Sequence, residues 1–209
     1  MQFVEALQIS KGITAIMGSG GKTSLMLRLA GELSRSVILC TSTRIYPPEG
    51  IPVIERIHLP VEGICCVGTP AEQGKIGSPV QDFRELAQLA DYVLVEADGS
   101  KHLPIKAHDT YEPVIPQGSN RVILVVGASG LDKPIAEAVH RPHIFAALTG
   151  ADIASPEAVA LAIERENLGD SIYINQVDLA PQQAERLAML ISKPCCMGSV
   201  KEGEIQCLY

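Results

Sequence analysis

Apolar runs and helical patterns alternate along the whole chain. Short runs rich in β-branched residues predict buried strands, because such side chains favour the pleated backbone. Segments with apolar residues three and four positions apart predict helices between them. The predicted strands are 13–17, 37–40, 63–67, 92–95, 121–126 and 171–174, with closing strands at 194–197 and 205–209. The predicted helices span 22–34, 79–90, 156–166 and 181–191.

This alternation predicts an α/β fold with three layers. Strands that are apolar on both faces must be covered on both faces, so we expect a mostly parallel sheet between two helical layers. The 209 residues are enough for one sizeable core, and no linker or repeat divides them. We therefore expect a single domain over 1–209. Only the segment 101–120 is irregular, which predicts a long functional loop.

The first strand is followed by a glycine-rich segment with a lysine and two hydroxyl residues. It consists of Gly18, Ser19, Gly20, Gly21, Lys22, Thr23 and Ser24. Glycines allow backbone N–H groups to turn toward an anion, and the following helix adds the positive end of its dipole. The order strand, loop, lysine, helix therefore predicts a phosphate-binding loop, in a single α/β domain of the type found in P-loop NTPases. Lys22 would contact the β- and γ-phosphates, and Thr23 would offer its hydroxyl to Mg²⁺.

The loop is shorter than the usual G-x-x-x-x-G-K-[ST] pattern, whose first glycine would fall on Ile16. The form G-x-x-G-K-T from Gly18 to Thr23 resembles the ATP loop of Mur ligases and folylpolyglutamate synthases. The alternative is a glycine-rich turn that only joins a strand to a helix.

Two carboxylates follow the strand at 92–95. Glu96 and Asp98 resemble the acids that hold Mg²⁺ at the end of a Walker B strand. One of them could order the metal while the other polarises the attacking water, and the sequence does not divide these roles. We therefore predict Lys22, Glu96 and Asp98 as catalytic, and Thr23, Glu96 and Asp98 as metal ligands. The alternative is a pair of acids in a solvated turn.

Other polar segments also follow predicted strands, where ligands bind in open α/β sheets. Hydroxyls in Thr41–Arg44 could bind Mg²⁺ or phosphate, or only form local turn hydrogen bonds. A basic cluster of Lys101, His102, Lys106 and His108 suggests an anionic substrate, and 140–143 is a second such cluster. Either basic segment could instead be a solvated loop.

Asn175 and Asp178 follow the sixth strand with the spacing of the N-K-x-D element of guanine-nucleotide binders. There the aspartate accepts hydrogen bonds from guanine and the asparagine bonds the other edge and neighbouring loops. Gln176 replaces the lysine of that element. Both residues are predicted to bind the nucleotide. The alternative is a helix N-terminus capped by Asp178 ahead of Pro181.

Charge and cysteine usage limit the function classes. The net charge of −7 argues against a general nucleic-acid binder. No apolar run approaches the length of a membrane span, and no signal peptide begins the chain, so we expect no membrane partner and a cytoplasmic location. The six cysteines are expected to be small buried hydrophobes, with a redox or sulfur- or selenium-handling pair as the alternative.

Taken together, these motifs resemble the selenium-dependent hydroxylase accessory proteins of the YqeC family. The most specific pieces are 95–101 (V-E-A-D-G-S-K), 111–116 (Y-E-P-V-I-P) and 140–142 (H-R-P). The family typically has T-T-T-H where this chain has Thr41–Arg44. The resemblance implies an NTPase-like accessory protein that acts on molybdenum hydroxylases carrying a labile selenium, or on their cofactor.

The leading hypothesis is a Mg²⁺-dependent protein that binds and hydrolyses ATP or GTP to mature such a hydroxylase. A second is a Mur-like ligase or a kinase that activates an acid by phosphorylation. A third is a carrier that binds an anionic nucleotide-linked cofactor without turnover.

Overall fold

The computed structural model describes residues 1–208, and it contains one nine-stranded sheet with flanking helices. The strands are β1 Gly12–Gly18, β2 Val37–Thr41, β3 Arg44–Ile45, β4 Val53–Ile54, β5 Ile64–Val67, β6 Thr69–Pro70, β7 Ile76–Gly77, β8 Tyr92–Glu96, β9 Ile105–Lys106, β10 Ser119–Gly127, β11 Val139–His140, β12 Ser171–Asn175, β13 Cys195–Ser199 and β14 Glu204–Leu208. The helices are α1 Phe3–Ala6, α2 Lys22–Leu33, α3 Phe83–Leu89, α4 Ile135–Ala138, α5 Pro142–Thr149, α6 Pro156–Glu166 and α7 Pro181–Leu190.

The order of the main sheet is β14-β13-β12-β10-β1-β8-β2-β5-β4. Every pairing in it is parallel except β13 with β14. The prediction of a mostly parallel α/β sheet is therefore confirmed. The central strand β1 lies between β8 and β10, and Ile16 of β1 is aligned with Glu96 of β8. This register brings the ends of β1 and β8 together at the carboxyl edge of the sheet.

Helices cover both faces of the sheet, as the continuous apolar strands predict. Ile123 and Val125 of β10 pack in the core formed with α1 and α2, whereas Leu124 and Val126 pack in the core formed with α5, α6 and α7. A third core lies under α3 and contains Val93 and Val95. Successive residues of one strand thus point to opposite faces, and each face is buried.

Some helix ends follow from local chemistry. Helix α6 begins at Pro156 as predicted, because the Ser155 side chain accepts a hydrogen bond from the Ala158 N–H. Helix α3 begins at Phe83 rather than residue 79, because Asp82 caps it by accepting from the Arg84 N–H. The closing strand predicted at 205–209 is observed as β14, which begins one residue earlier, at Glu204, and extends to Leu208. Tyr209 lies outside the described residues.

The small elements were not predicted from the sequence. Strands β3, β7 and β6 form a three-stranded sheet, and β9 pairs with β11. The pairing of β9 with β11 joins Ile105 to Val139, so the segment predicted as an irregular loop is tied to the start of α5. The prediction of irregular structure holds for most of 101–120, apart from β9 and the first residues of β10.

The cysteines fall into two groups. Cys40, Cys65, Cys66 and Cys195 are free and buried, as expected for small hydrophobes. Cys65 and Cys66 belong to different core clusters, which confirms that adjacent strand residues point to opposite faces. Cys196 and Cys207 instead form a disulfide across the antiparallel pair β13–β14.

Candidate functional site

The glycine-rich segment forms a loop between the end of β1 and the start of α2. Gly18, Gly20 and Gly21 all have positive φ values, of 92°, 87° and 118°. Within residues 1–208, none of the backbone N–H groups from Gly20 to Ser24 donates to a protein acceptor. A row of free N–H groups at a helix N-terminus can hold an anion. The loop therefore has the geometry that the sequence predicts for phosphate binding.

The loop leans against two neighbouring segments, which is why glycine is needed at its centre. A Cβ atom on Gly20 would lie 2.4 Å from the Gly127 Cα atom and 2.8 Å from the Pro104 carbonyl oxygen. The Ser19 hydroxyl also donates to the Leu103 carbonyl. The segment after Asp98 thus covers the loop and fixes its shape.

Lys22 is almost fully buried in this site. Its Nζ atom donates to the Gly18 carbonyl at 2.7 Å and to the Ser100 hydroxyl at 3.3 Å. The same atom lies 3.2 Å from Asp98 Oδ1 and 3.6 Å from Glu96 Oε1. The lysine and the two carboxylates predicted from the sequence therefore lie together.

Glu96 contacts both Thr23 and Lys22. The Thr23 hydroxyl donates to Glu96 Oε2 at 2.7 Å. Burial raises the pKa of Glu96, and the charge of Lys22 and the Thr23 hydrogen bond offset this only in part. A hydroxyl and a carboxylate oxygen in direct contact are ligand types that Mg²⁺ prefers. This pair could hold such an ion with phosphate oxygens and water completing the shell.

Asp98 is held mainly through one of its two oxygens. Oδ2 accepts from the Gly18 N–H at 2.9 Å and lies 2.9 Å from His108 Nε2 and 3.0 Å from Lys106 Nζ. Oδ1 is buried and accepts no hydrogen bond, since Lys22 forms only an ion pair with it. Burial opposes ionisation, but the His108 hydrogen bond and the charges of Lys22 and Lys106 hold the pKa of Asp98 well below its usual range.

His108 lies between two carboxylates. Its Nε2 atom contacts Asp98, and its Nδ1 atom lies 2.8 Å from Glu166 Oε2. Glu166 Oε1 also accepts the backbone N–H of His108 at 2.6 Å. Burial alone would lower the pKa of His108, but the hydrogen bonds to Asp98 and Glu166 raise it.

A second buried ion-pair group lies behind Asp98. Lys106 Nζ contacts Glu112 Oε2 at 2.5 Å, and the same oxygen accepts from Arg141 at 2.6 Å. Arg141 also donates to the Tyr111 hydroxyl at 2.9 Å and stacks over its ring. The three segments that resemble a family in the sequence, 95–101, 111–116 and 140–142, therefore meet in one network.

The prediction of one basic cluster open to an anionic substrate is wrong for Lys106 and His108. Both are buried, and their charges are matched by Asp98, Glu112 and Glu166. Only Lys101 and His102 of this segment are exposed. The sequence pattern gives no indication of Glu166, because nothing in its spacing links the end of a helix to the site.

The hydroxyl groups of Thr41 and Ser42 donate to carbonyls of distant segments of the chain. The Thr41 hydroxyl donates to the Glu96 carbonyl at 2.8 Å, and the Ser42 hydroxyl donates to the Val114 carbonyl at 2.6 Å. The local turn hydrogen bond of the alternative is also present, because the Thr43 N–H donates to the Thr41 hydroxyl at 3.0 Å. Binding of Mg²⁺ or phosphate by this segment stays a prediction. Arg44 is exposed and lines an open pocket of about 720 Å³ with Thr69 and Ser78.

Asn175 supports the phosphate loop from the end of β12. Its amide donates to the Gly20 carbonyl at 2.8 Å, and its Oδ1 atom accepts from the Val200 N–H at 3.1 Å. The Gln176 side chain accepts from the Ser129 hydroxyl at 2.6 Å. Asp178 is exposed. The predicted contact of Asn175 and Asp178 with a nucleotide base stays a prediction.

Metal binding by the protein alone has little support in the geometry. Among residues 1–208, no group of three or more His, Cys, Asp or Glu side chains is arranged to hold a metal ion. An ion at Thr23, Glu96 and Asp98 would therefore take further ligands from phosphate and water. That is the usual situation for Mg²⁺ in phosphoryl-transfer sites.

Comparison with known proteins identifies the family. Residues 14–143 match the family model described as "YqeC protein", and this stretch contains the glycine-rich loop, Glu96, Asp98, His108 and Arg141. The chain belongs to the YqeC family. The similar "Uncharacterized protein YqeC" of Escherichia coli (strain K12) is 36% identical over 155 residues. The aligned region spans 66% of this chain and 60% of that YqeC protein. No solved structure matches the chain.

The YqeC match covers most of the site but not all of it. Glu166 and Asn175 lie beyond residue 143, outside the matched region.

The structure also contains no helix within residues 1–208 that is long and apolar enough to cross a membrane.

Proposed function

We propose that this YqeC family member binds a nucleoside triphosphate, ATP or GTP, with Mg²⁺ and hydrolyses it. The observation that carries the proposal is the arrangement around Lys22. Three features lie together at the carboxyl edge of a parallel sheet. They are a loop with free N–H groups, a buried lysine, and a threonine hydrogen-bonded to a carboxylate. Sites of this kind stabilise transferring phosphates by position and charge.

The residues of the loop would hold the triphosphate. The N–H groups of Gly20 to Ser24 would donate to phosphate oxygens, and Lys22 would exchange its contact with the Gly18 carbonyl for the β- and γ-phosphates. Asn175 holds the Gly20 carbonyl, so the loop is supported before ligand arrives. An ordered loop reduces the entropy lost on binding.

The two carboxylates would have different roles. Glu96 is bonded to Thr23, so this pair would hold Mg²⁺, which supplies charge stabilisation to the phosphates when bound. Asp98 is kept ionised by its neighbours and has one oxygen without a hydrogen bond. We therefore assign it to orienting the attacking water.

The biological setting is proposed from the family resemblance. Nucleotide turnover would serve the maturation of a selenium-dependent molybdenum hydroxylase or of its cofactor, and that hydroxylase or cofactor would be the partner. The acidic net charge gives no support for a nucleic-acid partner.

The assignment of roles can be tested with two isosteric variants. We expect Glu96→Gln to reduce the factor by which Mg²⁺ increases nucleotide affinity, by about tenfold or more. The reason is that the substitution removes a charged ligand of the metal ion. Asp98→Asn is expected to keep nucleotide binding and to lower phosphate release at least about tenfold. Binding is measured by calorimetry with and without Mg²⁺, and turnover by phosphate release.

Asp91→Asn is the matched control. Asp91 directly precedes β8, the strand that ends at Glu96, and it lies in an exposed ion pair with Lys11. If Mg²⁺ still enhances nucleotide binding in Glu96→Gln but no longer does so in Asp98→Asn, the assignment is contradicted. Asp98 would then hold the metal ion in place of Glu96.

A second candidate function is phosphoryl transfer to an acceptor other than water, as in a kinase or ligase. The exposed Arg44, which has no ion pair within residues 1–208, lines a pocket that could receive an anionic acceptor. This candidate predicts that nucleoside diphosphate forms only when an acid or hydroxyl acceptor is added.

A further inference from the structure

Asp98 and His108 form a chain of buried contacts that ends on Glu166. Glu166 lies at the end of α6, and its carboxylate accepts both the Nδ1–H and the backbone N–H of His108. His108 is 8% exposed as a residue, and both ring nitrogens are occupied. The imidazole ring therefore cannot turn without breaking a contact to a carboxylate.

This chain of contacts determines which oxygen of Asp98 is available. Oδ2 contacts three donors, from Gly18, His108 and Lys106, at 2.9–3.0 Å. Within residues 1–208, Oδ1 accepts no hydrogen bond, and it lies 3.2 Å from Lys22 Nζ in an ion pair. Because Oδ2 already has three donors, a new donor to Asp98 is accepted by Oδ1.

We infer that Glu166 and His108 are positioning residues that direct Oδ1 of Asp98 toward the nucleophile in the proposed reaction. The inference rests on the proposed nucleotide hydrolysis and deepens it. Lys22 caps Oδ1 in the ligand-free protein and is also the residue assigned to the phosphates. When Lys22 moves to the triphosphate, Oδ1 loses its ion-pair contact with Lys22, whereas Oδ2 keeps its three donors.

A buried acceptor without a donor is unfavourable, so Oδ1 then binds the O–H of a water molecule. That water oxygen forms a bond to the γ-phosphorus, and the bond from phosphorus to the β–γ bridging oxygen breaks. The electron pair leaves with the nucleoside diphosphate, and both hydrogens of the water stay on the released phosphate. Asp98 orients the water and need not take its proton, which suits a carboxylate that its neighbours hold in the ionised form.

The test uses Glu166 because its side chain reaches Asp98 only by way of the His108 ring. We expect Glu166→Ala to lower kcat for phosphate release at least about tenfold, since a loosened ring misplaces Oδ1. The dissociation constant for Mg²⁺·ATP or Mg²⁺·GTP is expected to change less than about threefold, because no phosphate contact is lost. Glu166→Gln keeps an oxygen acceptor and is expected to recover part of kcat.

Glu164→Gln is the matched control, an exposed acid on the same helix. If Glu166→Ala does not fold, the comparison of Glu166→Gln with Glu164→Gln decides the question. Wild-type kcat in folded Glu166→Ala, or a parallel loss of kcat and binding, would overturn the inference while nucleotide binding by the wild type stands. Failure of the wild type to bind either nucleotide would overturn the proposed function and the inference with it.

Discussion

The charge of His108 depends on two carboxylates, those of Asp98 and Glu166. Its pKa is raised from 6.5 because the hydrogen bonds to Asp98 and Glu166 outweigh burial. In the unfolded chain a histidine titrates near pH ~6.5. The folded form therefore binds the proton more tightly, so this stabilisation is complete below pH ~6.5 and is lost as pH rises through the folded pKa.

We predict that the free energy of unfolding falls over this range with a slope of at most about 1.4 kcal/mol per pH unit from His108. The measurement is urea unfolding in EDTA between pH ~6 and ~9. His108→Gln should be less stable at the low end of the range and should show a flatter slope, while exposed His102→Gln should follow the wild type. Equal slopes in His108→Gln and the wild type would contradict the assignment.

At the residue scale the sequence indicated which residues lie at the site but not how their charges are paired. Lys22, Thr23, Glu96 and Asp98 could be predicted because each follows a strand of a parallel sheet. Lys106 and His108 were predicted to belong to a basic cluster for an anionic substrate, because spacing shows that residues are neighbours and does not show which acids fold back onto them. Glu166 gave no signal, since its partner is 58 positions away.

At the element scale, the phosphate loop depends on close backbone packing between β1, β10 and the segment that covers the loop. Gly20 has a φ of 87° and no space for a side chain. We predict that Gly20→Ala destabilises the fold by about 2–5 kcal/mol, from backbone strain and overpacking, and weakens nucleotide binding.

Gly31→Ala provides the comparison in the same helix–loop unit. Gly31 lies within α2, and a Cβ atom there would have nothing within 4 Å. Alanine favours the helix by about 1 kcal/mol over glycine, so this variant should be slightly stabilised. Chemical unfolding measures both, and equal effects of the two substitutions would mean that the loop is not tightly packed.

Elements with strong local signals were predictable, and elements defined by tertiary contacts were not. Helix α6 was predicted with its observed bounds from its cap, its proline and its apolar spacing. Helix α5 was missed because it starts at Pro142, after Arg141 in a left-handed conformation. The small strands β9 and β11 have two residues each, too few for a periodic pattern.

At the scale of the whole molecule, the sheet ends at an antiparallel strand that is joined to its neighbour by the Cys196–Cys207 disulfide. The closing strand could be predicted from the sequence, but the disulfide could not. The two cysteines come together only through the register of β13 and β14, which the sequence pattern does not show. A cross-link over a sequence separation of 11 is expected to stabilise the fold by about 2–3 kcal/mol.

We therefore predict that dithiothreitol lowers the Tm of the wild type by several degrees and leaves that of Cys207→Ser unchanged. Differential scanning calorimetry measures both. A wild-type Tm that does not respond to the reductant, in protein whose disulfide is shown by mass spectrometry to be reduced, would contradict a stabilising role.

The central claim is that the loop from Gly18 to Thr23 binds a nucleoside triphosphate with Mg²⁺. The most direct measurement is a fluorescence titration with mant-ATP and mant-GTP, with and without Mg²⁺. We predict saturable, Mg²⁺-enhanced binding of at least one nucleotide by the wild type and by Lys11→Ala, whose lysine lies in an exposed surface ion pair. Lys22→Ala should bind about tenfold to a hundredfold more weakly, as loss of a charge-assisted contact predicts. If Lys22→Ala binds the nucleotide as tightly as the wild type does, the loop from Gly18 to Thr23 is not the nucleotide-binding site.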